Sequence, residues 1–425
     1  MNFYKRWEIA LGGFFLTWAL FSFAPFPAAA ADTIKVGVLD VFSGPFSHSG
    51  PAITAGMKFA VDEQNAKGGL FGKKIELIVE DHEMKADVGL RKAKKLILED
   101  KVDFLSVGTG SHVTLACLKF AEQNKKLLFT THGAAEGITG KEFSRYAFRI
   151  GHTNYGYTAG MFQLLASTPY KKFYLLNMDY AAGRDFSGLF VKNIKSFIPD
   201  AQVVGEDFPP LNNKDFAPYI TKVINSKADA IVTMSWGPDL TLMIRQGRAL
   251  GLKSPFPWVA VFAAEPYFGI DLKGDMIGNW GVALYDMRVK TPENEKFVKA
   301  YHEQHKNDKD FNTWWPYGVI GAAYCGWKMT LAGMEKAGSF DTEKIISTLE
   351  GFSYKTVVGT WTIRACDHTT LYPLFGFQVQ GGQNPYYNGS IRPDINFPWY
   401  GPNYVTIPAE KVEMPATPAY NPRCK

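Results

Sequence analysis

The feature of this sequence that most constrains its fold is a repeated alternation between short apolar runs and longer segments with helical periodicity. The first apolar run spans residues 34–41, and after Pro51 the side chains of Ile53, Met57 and Ala60 share one helical face. Near-continuous apolar runs of this length are typical of parallel strands that helices cover on both faces. The sequence therefore predicts an α/β fold built from parallel sheets.

The alternation falls into two series. Further strands of the first series are predicted at 75–79, 102–107 and 127–131, with helices at 88–99 and 114–124. The second series has predicted strands at 173–178, 229–234 and 258–262, with helices at 185–197 and 240–250. Helical patterns follow at 293–304, 316–337 and 342–349. Two such series predict two α/β lobes of similar build.

Composition excludes several classes of protein. The 425 residues are 46% hydrophobic and 20% charged, which excludes a disordered chain, a collagen and a small disulfide scaffold. The formal net charge is only +5, from 46 basic and 41 acidic residues, and no basic run of five or more occurs. We therefore expect no nucleic-acid partner.

The first residues have the pattern of a secretory signal peptide. Lys5 and Arg6 precede an apolar stretch at 9–26, and small residues follow at 28–31. We expect cleavage after Ala31 and export of the mature chain. A membrane anchor is the alternative, because the apolar stretch approaches the length that spans a bilayer. No cysteine follows the stretch, so no lipid anchor is expected.

Catalytic signatures are not found in the sequence. It contains no nucleophile elbow, no phosphate-binding loop of the Walker type and no zinc-protease motif. His302 and His305 are three positions apart rather than four, and we expect a solvated helix face there rather than a metal site. The turn at 108–110 lacks the third glycine of a dinucleotide site, because position 113 is valine. The sequence predicts no enzyme, no metal and no cofactor, and a secreted hydrolase would need a nucleophile that is not apparent.

The predicted strand ends carry the candidate binding residues. In open parallel sheets, ligands bind beyond the carboxyl ends of the strands, where helix N-termini present free N–H groups. The first series ends its strands in the turns 43–45, 108–112 and 131–135, and the Ser111 hydroxyl would add to the helix-start amides. Such turns suit a carboxylate or another small acceptor. Aromatic residues at the ends of the second series would close over a ligand or belong to the core.

Several stretches resemble a known family. Residues 34–38, 43–45, 65–72 and 244–253 resemble the branched-chain amino acid binding proteins, which are type I periplasmic substrate-binding proteins of ABC importers and include amide- and urea-binding members. The resemblance covers about residues 33–380. It implies two Rossmann-like lobes with parallel sheets joined by three hinge crossovers, near Gly151, Leu284 and Val357. It also implies a periplasmic location, a monomer, and a membrane permease and ATPase as partners.

The lobe boundaries follow from this resemblance. After the signal peptide at 1–31, lobe 1 would comprise 32–151 and 284–356, and lobe 2 would comprise 152–283 and 357–382. Residues 383–425 are rich in proline, tyrosine and asparagine without periodicity. We expect them to form an ordered but irregular tail packed on the lobes.

The family's binding residues can be carried over position by position. The serine that holds the ligand carboxylate matches Ser111, with His112 beside it, and the residue that contacts the ligand through its backbone matches His132, followed by Gly133. The ammonium-binding threonine is Ala134 here, and the pocket tyrosines match Tyr180 and Trp236. The acidic partner of the ammonium falls at Ala260 in an ungapped match, and Glu265 would replace it only if the loop shifts.

A ligand class follows from these matches. The carboxylate side is kept while both ammonium partners are lost, and a buried ammonium without a partner would cost several kcal/mol. We therefore expect an aromatic or other carboxylate that lacks an α-ammonium group, stacked on Trp236, Tyr180 and Trp314 or Trp315. A branched-chain amino acid, an amide or urea is the alternative ligand. An exported sensory domain is the alternative role.

The cysteines agree with an oxidising compartment. A bridge between Cys366 and Cys424 would pin the tail onto the second lobe, and four free thiols are the alternative. Cys117 and Cys325 lie within helical patterns and are expected to be buried thiols. Arg364, Asp367 and His368 are expected to form a structural polar cluster.

Overall fold

The computed structural model describes residues 33–254, 256–263, 265–382, 384–386, 401 and 404–425. The predicted signal peptide at 1–31 lies outside the described residues. Among those residues, no helix combines the length and the apolar character needed to cross a membrane.

The first series of apolar runs forms one parallel sheet. Its strands are β1 (Ile34–Asp40), β2 (Ile75–Asp81), β3 (Phe104–Thr109), β4 (Leu127–His132) and β5 (Ala147–Arg149), and its helices are α1 (Ser49–Ala66), α2 (Ala86–Leu98) and α3 (Ser111–Gln123). The spatial order is β2-β1-β3-β4-β5. Every residue of β3 is buried, because Phe104 packs in the hydrophobic cluster on one face and Leu105 in the cluster on the other.

The second series forms most of another sheet. Its strands are β6 (Lys172–Leu176), β7 (Gln202–Asp207), β8 (Ala230–Thr233), β9 (Trp258–Ala260) and β10 (Trp280–Ala283), and its helices are α4 (Asn154–Leu165), α5 (Ala181–Phe197), α6 (Ala217–Ser226), α7 (Gly237–Ala249) and α8 (Pro266–Leu272). These strands are parallel to one another. The α/β fold with parallel sheets that the sequence predicts is confirmed.

The C-terminal part adds helices and antiparallel strands. They are α9 (Pro292–His305), α10 (Gly318–Ala337), α11 (Thr342–Leu349), β11 (Ser353–Thr356), β12 (Gly359–Ile363), β13 (Thr370–Leu371), β14 (Leu374–Gln378), β15 (Val405–Ile407) and α12 (Ala409–Val412). Short 3₁₀ helices occur at Glu136–Ile138, Lys273–Met276 and Phe311–Thr313. Strands β11, β12 and β13 form a small antiparallel sheet, while β14 and β15 extend the second sheet beyond β10.

Helices α1 and α10 pack closely against each other. A Cβ placed on Gly56 would lie only 2.1 Å from the carbonyl oxygen of Ile320, so α1 can approach α10 at this distance only with glycine at that position. This contact joins the C-terminal helices to the first sheet, although about 250 residues separate them in the chain.

The tail differs from the sequence prediction. Residues 383–425 were expected to be irregular, but Val405–Ile407 forms β15, which pairs antiparallel with β14. Three residues cannot show a period, and this strand exists because β14 offers a free edge. Beyond it, the Tyr420 hydroxyl lies 2.7 Å from Thr139 Oγ1, and Cys424 forms a disulfide with Cys366. The bridge expected from the sequence is therefore present in the structure.

Helices α3, α5 and α7 begin about one turn earlier than their periodicity predicts. Each starts almost directly after a strand, at Ser111, Ala181 and Gly237. The first turns carry no apolar residues at helical spacing, so the pattern becomes visible only later. The predicted crossover near Gly151 falls between β5 and α4, and the one near Leu284 directly follows β10. The division into lobes remains a prediction.

Candidate functional site

A cavity lies where the carboxyl ends of strands from the two sheets face each other. The space between its walls, including the part open to solvent, is about 420 Å³. Its lining consists of Ser49, Ile53, Thr109, Gly110, Ser111, His132, Ala134, His152, Tyr180, Ala182, Met234, Trp236, Phe262, Glu265 and Val319. Among these described lining residues, Glu265 is the only one of an acidic type, and none is a lysine or arginine.

Three helices begin at the cavity wall. The residues that precede α3, α5 and α7 are Gly110, Tyr180 and Trp236, and each of them lines the cavity. None of the three uses its side chain to cap the helix, so backbone N–H groups in the first turns of α3 and α5 remain for a ligand, whereas the first turn of α7 contains Pro238, which has no N–H. Gly110 has a φ of 92°, which only glycine adopts without strain. The positive ends of three helix dipoles therefore favour an acceptor or an anion here.

The hydroxyl of Ser111 is held in a defined orientation. Its Oγ accepts hydrogen bonds from the backbone N–H of Ala134 at 3.0 Å and of Ala135 at 3.1 Å. A hydroxyl has two acceptor lone pairs and one donor hydrogen, so both acceptor positions are used. The remaining O–H donor is the group that Ser111 can offer to a ligand.

Two histidines contact each other at the cavity. The rings of His132 and His152 are 4.9 Å apart, edge to face, and Tyr157 lies 4.7 Å from His152. Burial lowers the pKa of His132 to about 3 and lowers the pKa of His152 well below its usual value, so both rings are neutral at pH 7. Their Nδ1 atoms are buried without a hydrogen-bond partner among the described residues. Each ring can thus still pair with a polar group of a ligand.

Aromatic side chains form another wall. Trp236 donates from Nε1 to the Tyr180 hydroxyl at 3.2 Å, and its ring lies 4.7 Å from that of Phe46. Phe262 approaches His152 edge to face at 6.2 Å. Flat apolar groups would be accommodated between these rings.

Glu265 lines the cavity, whereas Ala260, which the ungapped match to the family aligned with the acidic binding residue, does not. Ala260 ends β9 and is fully buried in the core, whereas the chain turns after it and presents Glu265, which is 8% exposed. The Glu265 carboxylate helps to raise the pKa of Tyr157, after burial and Tyr372. The cavity therefore contains an acidic side chain, Glu265, which lies five residues after the position that the ungapped match indicated.

The predicted binding residues divide into two groups. Ser111, His132, Ala134, Tyr180 and Trp236 line the cavity, while His112, Gly133, Ala260 and Trp314 do not. His112 Nε2 instead lies 3.1 Å from the carbonyl of Met84, and the Gly133 N–H donates to Thr130 Oγ1. The His112 side chain is therefore held by a local partner, and Gly133 has no side chain that could reach the cavity.

Two further expectations concern the helix α9 region. Trp314 donates to the carbonyl of Asp308 at 2.8 Å, and Trp315 stacks on His302 at 3.6 Å, so neither tryptophan can form the stacking wall. The stacking also corrects the expectation of a solvated face, because His302 is half-buried under Trp315. His305 pairs with Asp308 at 2.8 Å.

The sequence reasoning did not identify His152, Met234 and Val319 as cavity residues. His152 follows β5 in the same way that His132 ends β4, so its position after a strand was an available signal. Met234 follows β8, but its apolar side chain is indistinguishable from core in the sequence. Val319 lies in α10, and nothing local indicates that this helix reaches the cavity.

The remaining cysteine and polar predictions are confirmed. Cys117 and Cys325 are buried free thiols, and burial raises the pKa of each to about 12. Arg364 pairs with Asp367 and with Glu413 of the tail, so this polar cluster anchors the C-terminal segment.

Comparisons with known proteins agree with this architecture. A family model described as periplasmic binding protein matches residues 33–384. The Leu/Ile/Val-binding protein homolog 4 of Brucella abortus is 26% identical over 378 residues, with 84% of this chain and 86% of the relative covered.

Two solved structures share the fold. One is a solute-binding protein of an ABC transporter from Rhodopseudomonas palustris BisB5 in complex with 3,4-dihydroxybenzoic acid. Its TM-score is 0.75 and its sequence identity 22%, and the match covers 89% of this chain and 98% of that chain. The other is the leucine-, isoleucine-, valine-, threonine- and alanine-binding protein of Brucella ovis in a closed conformation, with a TM-score of 0.77, 20% identity, and coverage of 91% and 97%.

Proposed function

The chain belongs to the periplasmic binding protein family, and from that premise we propose that its ligand is an aromatic or other carboxylate that lacks an α-ammonium group. Members of this family are not enzymes. They bind small molecules in the periplasm for an ABC transporter, together with a permease and an ATPase. The ligand class is the part of the function that depends on the cavity of this chain.

The distribution of hydrogen-bond donors is the observation that carries the proposal. The uncapped N-termini of α3 and α5 and the Ser111 hydroxyl meet at the cavity, and all of these groups donate. A carboxylate offers about four lone-pair positions to such donors and favours the positive ends of helix dipoles. Donors of this kind at one end of a cavity therefore support a carboxylate end on the ligand.

The aromatic wall supports a flat body for the same ligand. Tyr180, Trp236 and Phe262 line the cavity, and the neutral rings of His132 and His152 are close by. An aromatic ring gains from offset or edge contacts with such neighbours in addition to the apolar area it buries. Structural neighbours in complex with 3,4-dihydroxybenzoic acid, 4-hydroxybenzoate and benzoate have the same fold, which agrees with this ligand class.

Glu265 is the observation that favours a second candidate, an α-amino acid. Its carboxylate at the cavity is a suitable partner for a ligand ammonium, and the Leu/Ile/Val-binding relatives point to that class. In the aromatic-acid proposal, Glu265 instead accepts a hydrogen bond from a ring hydroxyl. The two candidates thus assign different partners to one side chain.

Calorimetry separates the two candidates. We expect the mature protein to bind benzoate or 4-hydroxybenzoate and not leucine, acetamide or urea. The Glu265→Gln variant should keep its affinity for benzoate, because benzoate has no donor for that side chain. Leucine binding in the wild type that falls at least tenfold in the variant would establish the amino-acid candidate and overturn ours.

Ligand binding would involve closure of the two predicted lobes. The first, residues 32–151 with 284–356, supplies Ser111 and His132, and the second, residues 152–283 with 357–382, supplies Tyr180 and Trp236. A ligand that touches both sets favours the closed arrangement, because only that arrangement allows all the contacts. In this proposal the protein acts as a monomer.

A further inference from the structure

Arg149 is a buried cation beneath the cavity. It ends β5, its side chain is fully buried, and it is not part of the cavity lining. The guanidinium donates to the carbonyl oxygens of Ala134 at 3.0 Å and Ala135 at 2.8 Å, and to Thr139 Oγ1 at 2.9 Å. Among the described residues Arg149 forms no ion pair, so its charge is not neutralised by a contacting carboxylate.

Arg149 also interacts electrostatically with two carboxyl groups that it does not contact. They are Glu136 and Asp185, and burial raises the pKa of each while the positive charge of Arg149 partly opposes that rise. Glu136 is occupied by the backbone N–H of Tyr155 at 2.7 Å, and Asp185 by the backbone N–H of Glu136 at 2.9 Å. A buried charge of this kind is costly unless it is compensated, and a bound anion nearby would compensate it.

A hydrogen-bonded path leads from Arg149 to the cavity. The carbonyl of Ala134 and the N–H of Ala135 belong to the same peptide unit. That unit accepts from Arg149 through its oxygen and donates to Ser111 Oγ through its N–H at 3.1 Å. Hydrogen bonds in such a chain polarise one another, so the guanidinium strengthens the Ser111 hydroxyl as a donor. That hydroxyl hydrogen is the end of the path, and Ser111 lines the cavity.

We propose that Arg149 is a positioning residue that gives the cavity its preference for an anion, acting through the Ala134–Ala135 peptide and the Ser111 hydroxyl without touching the ligand. The inference rests on the proposed function, because it requires a ligand with a carboxylate end. It explains how a cavity with no lysine or arginine among its described lining residues can bind a negative charge.

The ratio of the affinities for benzoate and benzamide tests this proposal. The two ligands have nearly the same shape, but only benzoate is charged. We expect the wild type to prefer benzoate, and Arg149→Met to lower the affinity for benzoate by about tenfold or more while changing that for benzamide little. Arg149→Lys should keep most of the preference, because it keeps the charge. If Arg149 had only a structural role, its substitution would lower the affinities for benzoate and benzamide alike.

Ser111→Ala examines the other end of the path and is the safer variant for folding. It should lower the preference for benzoate to a similar extent, and its effect should be smaller in the Arg149→Met background, since both changes break one path. Thr139→Val is the matched control, because it removes an Arg149 contact outside the path and should leave the preference unchanged.

The outcomes separate the inference from the proposed function. A wild type that binds benzoate no better than benzamide overturns both. A wild type that prefers benzoate, with a preference that survives Ser111→Ala or Arg149→Met, overturns the inference alone. If Arg149→Met does not fold, the Ser111→Ala ratio decides.

Discussion

Phe46 and Trp236 lie with their ring centroids 4.7 Å apart, although they follow strands of different sheets. Phe46 belongs to the turn after β1, and Trp236 directly precedes α7. The contact joins the two sides of the cavity beside the proposed ligand position. The aromatic wall therefore includes contacts from both sides of the cavity.

Substitution of Trp236 should weaken aromatic-acid binding. We expect Trp236→Leu to lower the affinity for benzoate by about 10- to 100-fold, because ring contacts and buried apolar area are lost together. Trp314→Leu is the control, since Trp314 is similarly buried, 6% exposed against 7%, but lies away from the cavity. Calorimetry measures the affinity of both variants for benzoate. Equal affinities of the two variants would contradict the role of Trp236 in the aromatic wall.

Acidification should destabilise the protein through His132. Burial lowers the pKa of this ring to about 3 from the usual 6.5, so the folded state resists a proton that the unfolded chain accepts. The stability gained by a neutral His132 is present above pH 6.5 and is lost as the pH falls toward 3.

The measurement is urea unfolding between pH 7 and pH 4. The free energy of unfolding of His132→Asn should fall less steeply than that of the wild type, by up to about 1.4 kcal/mol per pH unit. Comparing the two slopes cancels the contribution of buried carboxyls such as Asp40, whose raised pKa acts in the opposite direction. Identical slopes would mean that His132 titrates alike in the folded and unfolded states.

Removal of the disulfide should cost stability. The bridge between Cys366 and Cys424 spans 58 positions, and a double Cys→Ser variant should lose about 2–4 kcal/mol of unfolding free energy. Reductant should lower the melting temperature of the wild type and of Cys117→Ala, whose thiol is free, but not that of the double variant. Mass spectrometry without reductant should count two free thiols in the wild type, and four would exclude the bridge.

Gly56 and Gly188 should respond in opposite directions to alanine. Gly56→Ala places a Cβ against the Ile320 carbonyl and should destabilise the protein by about 1–3 kcal/mol through a forced shift of α1 from α10. Gly188 lies in α5 with no atom near its Cβ position, so Gly188→Ala should stabilise by about 0.4–1 kcal/mol. Thermal unfolding of both variants checks the α1–α10 contact. The melting temperature should fall for Gly56→Ala and rise for Gly188→Ala.

Part of the site could be predicted because it depends on local features of the chain. Ser111, His132, Tyr180 and Trp236 each lie directly at or after the end of a predicted strand. In parallel sheets those ends meet at one edge, so position along the sequence was enough to bring them to the cavity. The same reasoning was wrong for His112, because it does not show which way a side chain points, and for Gly133, which has no side chain to reach the cavity.

The sequence by itself determined the α/β alternation, the strand ends that form the cavity and the cysteine pair suited to a bridge, since each depends on residues close together or on their chemistry. Only the tertiary structure decided that Glu265 rather than Ala260 lines the cavity, that Val405–Ile407 completes a sheet, and that Arg149 is buried beneath Ser111. The path of a loop, the pairing of an edge strand and the burial of a side chain depend on contacts between residues far apart in the chain. Such contacts produce no periodic pattern in the sequence, so they could not be predicted from it.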